Sequence, residues 1–316
     1  MDFGHAQKEY KSKSYTTSMS NTSKHYVALM TAGCFFGTIS TFSAILRDND
    51  VSSFQLSFSR AFFALIYILI IFYYKKINFI IALKELKYYV LLGLVMSAMG
   101  FFENTAVSIG TPVAIVVLLL YTQPVWTTIF GKVFLKEKVD TIKKLAVFVS
   151  FIGVFLISQV WNISSLNYLG FSLSLICGIF LSIEFIMIKG LSLKPKHFLV
   201  SIFWFYLFRS VFTVVLGYSS RMVTGNEIIT SFNFSLSLEI WMLILLFAFI
   251  PMFLGMILFY NSVKYVPIVS VGVILLMEPL SGISYGYFIL GEGVDLFTIA
   301  GGILILIASL LIIKRG

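Results

Sequence analysis

Three glutamates, Glu103, Glu184 and Glu278, sit inside long runs of apolar residues. A carboxyl taken out of water stays neutral, finds a positive partner or contacts a cation, so each is a candidate to carry a proton or hold a cationic group. Polar neighbours extend the set. Asn104 follows Glu103, and Gln123 and Glu278 each stand immediately before a proline, Pro124 and Pro279. A proline within a helix removes one i to i−4 hydrogen bond and frees a carbonyl; the plain alternative is a packing kink at a helix crossing. On helices, Trp126, Thr127 and Phe130 share the face of Gln123, and Ser281, Gly282 and Tyr285 share that of Glu278. Tyr121, Trp126, Trp204, Tyr206 and Tyr260 are placed to line a cavity, with packing as the competing reading of each. Aromatic walls beside carboxylates suit a cationic or zwitterionic ligand. The candidate substrate-binding residues are therefore Glu103, Asn104, Tyr121, Gln123, Trp126, Glu184, Tyr260, Glu278 and Ser281, and the candidates for coupling to protons are Glu278, Glu103 and Glu184. Structural pairing competes here too: Arg60 for Glu103, and Arg209 or a lysine for Glu278.

The elements that must position these residues follow from composition. A chain that is 59% hydrophobic, 12% charged and of mean hydropathy +0.97 cannot present the charged surface of a soluble globule. Apolar segments of about 20 residues, long enough to cross the hydrocarbon as helices, run Tyr26 to Ile45, Phe54 to Tyr73, Leu86 to Val107, Pro112 to Phe134 and Ile142 to Gln159. Five more run Leu169 to Ile188, Phe198 to Tyr218, Ile240 to Val263, Pro267 to Leu290 and Leu296 to Ile313. The expected fold is an all-α integral membrane protein with ten transmembrane helices. Residues 1–25, rich in Ser, Thr and Lys, read as a disordered cytoplasmic tail, and no cleavable signal peptide is evident.

A shift of 155 positions carries Pro112, Leu120, Pro124, Gly131, Leu135, Glu137, Val139 and Asp140 onto Pro267, Leu275, Pro279, Gly286, Leu290, Glu292, Val294 and Asp295. Gapless agreement of two prolines, a glycine, a glutamate and an aspartate marks a duplication, with halves at 26–160 and 165–314. Gln123 and Glu278 are equivalent under the same shift. Lysine and arginine orient the chain, since short loops rich in them stay in the cytoplasm. A cytoplasmic N-terminus puts Lys75, Lys76, Lys84, Lys87, Lys132, Lys136, Lys138, Lys143, Lys144, Lys189, Lys194, Lys196 and Lys264 on that side and leaves Arg47 and Arg221 outside. Five spans per half then make the repeat inverted, with both termini cytoplasmic. Lys132, Lys136 and Lys138 become Tyr287, Gly291 and Gly293 in the external copy. The net charge of +9 is thus read as topogenic lysine rather than nucleic-acid binding.

Ten spans in two five-helix inverted repeats, Gly33 and Gly37 in the first span, Arg60 in the second, and TPVAIVVLLLYTQPVW closing on FLKEKVD resemble the drug/metabolite transporter superfamily, specifically its EamA branch. The resemblance runs from Tyr26 to Ile313. It implies that helices three, four, eight and nine, with one and six, surround a central cavity that opens alternately to each side. Leu181 and Ser182 depart from the small residues often found there in the family, and Arg209 lies deeper than Arg60.

Glycine-rich phosphate loops, Ser-His-Asp sets and metal-ligand clusters are missing from the sequence, and the three histidines, His5, His25 and His197, lie in the tail or at span edges. No enzyme activity and no cofactor or metal is expected. Cys34 and Cys177 read as small core residues without redox spacing. Asn162-Ile-Ser164 and Asn233-Phe-Ser235 match glycosylation sequons, a pattern frequent by chance. The expected function is secondary active transport of a small organic metabolite across the cytoplasmic membrane by alternating access, most plausibly export of amino acids or related compounds. A passive facilitator or channel, an importer of a cationic metabolite and a nontransporting scaffold are the alternatives. The expected partners are the small-molecule substrate, protons as the coupling ion, the lipid bilayer and no nucleic acid, with the chain a monomer or homodimer.

Overall fold

The computed structural model describes residues 19–163, 167–194, 197–224 and 231–314. Residues 1–18 of the expected tail, Ser164 of the first sequon, and Lys196 lie outside that set, as does the side chain of Arg221. The first helix, Met19–Arg47, takes in the last residues of the segment read as tail.

Among the described residues, ten helices are long and apolar enough to cross a membrane: Ser23–Arg47, Ser53–Lys75, Leu83–Ser108, Val113–Phe134, Thr141–Asn162, Tyr168–Ser192, Phe198–Ser219, Leu238–Ser262, Ile268–Leu290 and Leu296–Ile313. They are spans one to ten below. Side-chain caps start several of them: Ser52, Asp140, Asn167, Ser237 and Asp295 accept the N–H three residues on, satisfying donors that a helix start leaves open.

Spans four and nine are broken. Span four divides into Val113–Leu120 and Gln123–Phe134, span nine into Ile268–Ile274 and Met277–Tyr285. The cause is Pro124 in one and Pro279 in the other. Each ring would strike the carbonyl four residues earlier, Leu120 or Leu275, and the chain unwinds there. Span eight holds a wide π turn, Ala248–Gly255, around Pro251, which absorbs a proline without ending the helix.

The two halves repeat in detail. Glu137 N–H donates to the Gly131 carbonyl at 3.1 Å, and Glu292 N–H to the Gly286 carbonyl at 3.1 Å. Asp140 caps through the N–H of Lys143 at 2.9 Å, and Asp295 through that of Thr298 at 2.8 Å. Pro112 and Pro267 open spans four and nine with nearly the same backbone angles.

Glycines set the closest crossings. A Cβ at Gly178 in span six would collide with the Leu119 carbonyl at the break of span four. A Cβ at Gly33 in span one would lie 2.9 Å from Met277, at the break of span nine. Span one and span six thus play the same part in the two halves, and Gly37 stands where Ser182 does. Spans five and ten cross at Gly153 and Gly301, where an added Cβ at Gly153 would lie 2.7 Å from the Gly301 carbonyl oxygen.

Candidate functional site

An ionised side chain within an apolar helix is tolerated when it faces protein or a water-filled cavity rather than lipid, and the two broken helices supply such a place. Around them five charged residues converge from five spans: Arg60, Glu103, Glu184, Arg209 and Glu278. Arg60 interacts electrostatically with Glu103, Glu278 and Arg209, Glu184 with both arginines, and Glu278 with Glu184 and Glu103. None of these carboxylates comes within the 4.0 Å of a salt bridge to either guanidinium. Arg60 Nε is buried without a hydrogen-bond partner. Arg209, only 7% exposed, lies over the ring of Phe205 at 5.7 Å. The competing structural pairings, Arg60 with Glu103 and Arg209 with Glu278, are therefore not closed in this conformation.

The aromatic residues divide. Tyr121 interacts electrostatically with Glu278 and Glu103, and Tyr260 with Glu184. Tyr260 is fully buried with its hydroxyl unpartnered. Tyr206 donates to the Met252 carbonyl at 2.7 Å, on the wide turn of span eight.

Four candidates have their polar atoms committed to protein. Gln123, 1% exposed, donates from Nε2 to the Gly272 carbonyl at 2.7 Å and accepts at Oε1 from Thr127 at 2.8 Å. Its backbone carbonyl accepts from Ser182 Oγ at 2.9 Å. Trp126 Nε1 donates to Thr122 Oγ1 at 3.1 Å, and Ser281 Oγ to the Met277 carbonyl at 2.6 Å. Asn104 is exposed and spends its amide on the Gly100 carbonyl one turn back. Glu278, the repeat equivalent of Gln123, is half-buried, and its carboxylate makes no hydrogen bond among the described residues.

Arg60 and Arg209 were not among the candidate site residues, although an arginine in an apolar span is as costly as a glutamate and carries the same signal. A buried ion pair also had no sign in the sequence. Lys189, 2% exposed, donates to Glu137 Oε1 at 2.7 Å and to the Val266 carbonyl, while Glu137 Oε2 accepts the Ile268 N–H at 2.8 Å. This joins the end of span four to spans six and nine, across the two halves. The equivalent positions at the other end differ. Glu292 is exposed where Glu137 is 6% exposed, and Val113 is 60% exposed where Ile268 is buried completely. The end that carries the lysines is closed, and the opposite end of these spans is open.

Elsewhere a cavity of about 440 Å³ lies between spans two, seven and eight, lined by aromatic residues such as Phe58, Phe62, Phe63, Phe232 and Trp241. It contains none of the charged residues above. No group of three His, Cys, Asp or Glu side chains able to hold a metal occurs among the described residues.

A solved protein, titled only "Crystal structure of protein", shares the fold: TM-score 0.73 at 12% identity, over 93% of this chain and 99% of the other. Among curated proteins none matches this chain. The sequence model of the EamA-like transporter family matches residues 23–159 and 228–314, covering most of the spans in both halves. That match, together with ten apolar helices in two repeated halves, places this multi-pass membrane protein in the EamA-like transporter family of the drug/metabolite transporter superfamily.

Proposed function

We propose that this membrane transporter of small solutes is a secondary active exporter of amino acids or related compounds. It works by alternating access, with Glu278 carrying the coupling proton. The observation that supports this is the convergence of three carboxylates and two guanidiniums, unpaired, on the breaks of spans four and nine. Buried charges left unpaired are costly, and this chain pairs them tightly at Glu137 and Lys189. Open charges of both signs at one place suit a ligand that brings both signs, such as a zwitterion: its carboxylate for the arginines, its ammonium for the glutamates.

The lysine-rich end is cytoplasmic in this reading, so the halves are inverted with respect to the membrane and both termini are inside. Uptake and efflux of radiolabelled amino acids in proteoliposomes, with and without a pH gradient, test the proposal. Saturable flux that responds to the gradient and falls to background in Glu278→Ala is the expected result. Flux unaffected by Glu278→Ala removes that residue from the mechanism, and flux indifferent to any gradient, without counterflow, identifies a passive facilitator.

A further inference from the structure

Gln123 and Glu278 hold the same place in the two halves, yet only Gln123 bridges them. The bridge exists because span nine is broken. The N–H of Leu276 turns to the Val273 carbonyl at 3.1 Å, and Gly272 offers its carbonyl to Gln123 Nε2 at 2.7 Å. This contact belongs to the closed, lysine-bearing end. Two halves of one architecture reach the opposite closed state by exchanging conformations. Under the 155-residue shift, the bond from Gln123 to the Gly272 carbonyl then becomes one from Glu278 to the Val117 carbonyl. In the present conformation that contact is not made, and the Val117 carbonyl accepts the N–H of Tyr121 at 3.0 Å.

The exchange is chemically unequal. A glutamine amide is a permanent donor. A carboxylate has only acceptor oxygens and would oppose a carbonyl, whereas a neutral carboxyl donates one O–H. The side-chain support given to Gln123 is arranged differently at the repeat-related place. Thr127, which donates to Gln123 Oε1, corresponds to Gly282, and Ser182, which donates to the Gln123 carbonyl, corresponds to Gly37. A Cβ at Gly37 would already lie 2.6 Å from the Glu278 carbonyl oxygen. The Ser281 hydroxyl lies 3.1 Å from the Glu278 backbone carbonyl and bonds the Met277 carbonyl at 2.6 Å, reaching neither carboxyl oxygen, so the hydrogen for the contact comes from the Glu278 carboxyl itself.

We propose that Glu278 is a proton-gated interlock, whose neutral carboxyl donates to the Val117 carbonyl to close the end opposite the lysines, and whose ionised form holds that end open. The proposal rests on the alternating-access reading above. The proton is taken up by the carboxylate from water at the open end and is released to water at the lysine-bearing end once that end has opened. The charged and titratable groups acting on Glu278 are Glu184 of span six, Glu103 of span three and Arg60 of span two, with Tyr121 of span four interacting as well. Span one, packed on this part of span nine, brings Cys34 and no carboxylate, and span ten brings no ionisable side chain.

The test places spin labels in repeat-related pairs on purified full-length protein whose native cysteines are replaced: Lys138→Cys with Lys264→Cys at the lysine-bearing end, Ile109→Cys with Gly293→Cys at the other. Pulsed dipolar distances are measured from about pH 5 to pH 9. Acidification should shorten the Ile109–Gly293 distance and lengthen the Lys138–Lys264 distance, with populations shifting up to about tenfold per pH unit through the transition. Glu278→Gln should hold the acid distribution at every pH. The reciprocal Gln123→Glu should make closure of the lysine-bearing end acid-dependent, and it decides the matter should Glu278→Gln fail to fold. A pH shift of undiminished size in Glu278→Gln, or a Gln123→Glu protein insensitive to pH at the lysine end, overturns the interlock. Distances that never change, at any pH or with any amino acid added, overturn alternating access itself.

Discussion

Asp295 shows how much one side chain outside the apolar spans does for the helix behind it. Its carboxylate accepts the N–H of Thr298 at the start of span ten and an amide hydrogen from Gln159 at the end of span five. The Thr298 bonds foremost, and then Gln159, hold the carboxyl below its ordinary value. A carboxyl depressed in the folded state contributes stability that is fully present above its unfolded pKa and fades as the pH falls through the folded one. Asp295→Ala should therefore lower the melting temperature at neutral pH, with a smaller deficit in acid. Asp295→Asn, which caps without ionising, should keep its stability across the same range, as read by thermal unfolding in detergent. Asp140, Asp295 and the glutamates within the spans were legible in the sequence because a charged residue stands out against an apolar run; that the aspartates cap helices was not. Neither was the pairing of Lys189 with Glu137. Lys189 passed for one more orienting lysine and Glu137 for a match of the repeat, and nothing in helical spacing connects residues on spans four and six. Where side chains point was also hidden: Gln123 and Glu278 share a position, and only packing assigns one to an interface and the other to the open cluster.

Helix breaks in spans four and nine follow from the two prolines, and their register follows from the carbonyl four residues before each. The span limits agreed with the apolar runs to within a few residues, because bilayer thickness and composition both act on length. The wide turn around Pro251 was not foreseen, since a proline within a long apolar run gives no sign of whether it ends the helix or widens it. What a sequence also conceals is the partner of each break. Gly178 lies against the carbonyls of Leu119 and Leu120, where span four unwinds. Gly178→Val must push spans four and six apart and should cost about 1–3 kcal/mol, measured as a fall in unfolding temperature. Gly100, against which nothing lies within 4 Å of an added Cβ, should accept alanine with little change in the same assay.

Two repeated halves that are closed together at one end and apart at the other are, in the alternating-access proposal, one of two related shapes. The duplication was visible in the sequence through its prolines and glutamates. The direction of opening was not, because it depends on which equivalent residues are buried. Glu137 and Lys189 hold the closed end by bonding each other, with Lys189 donating to the Val266 carbonyl and Glu137 accepting the Ile268 N–H. Breaking a buried pair by removing one member typically costs about 3–5 kcal/mol because the other charge is stranded. Lys189→Met should lengthen the Lys138–Lys264 distance at every pH, and Glu137→Gln with Lys189→Met should soften the loss of stability while keeping the opening. In the proposed orientation the same latch cannot be copied at the other end without a cost. The repeat-related place of Lys189 is Ala44 of span one, and a lysine there would sit on the side from which positive charge is withheld so that the chain inserts correctly. With the orientation and alternating access proposed above, the rule that orients the chain during synthesis also biases the cycle: one door has a bolt and the other does not, and the molecule should dwell longest facing outward.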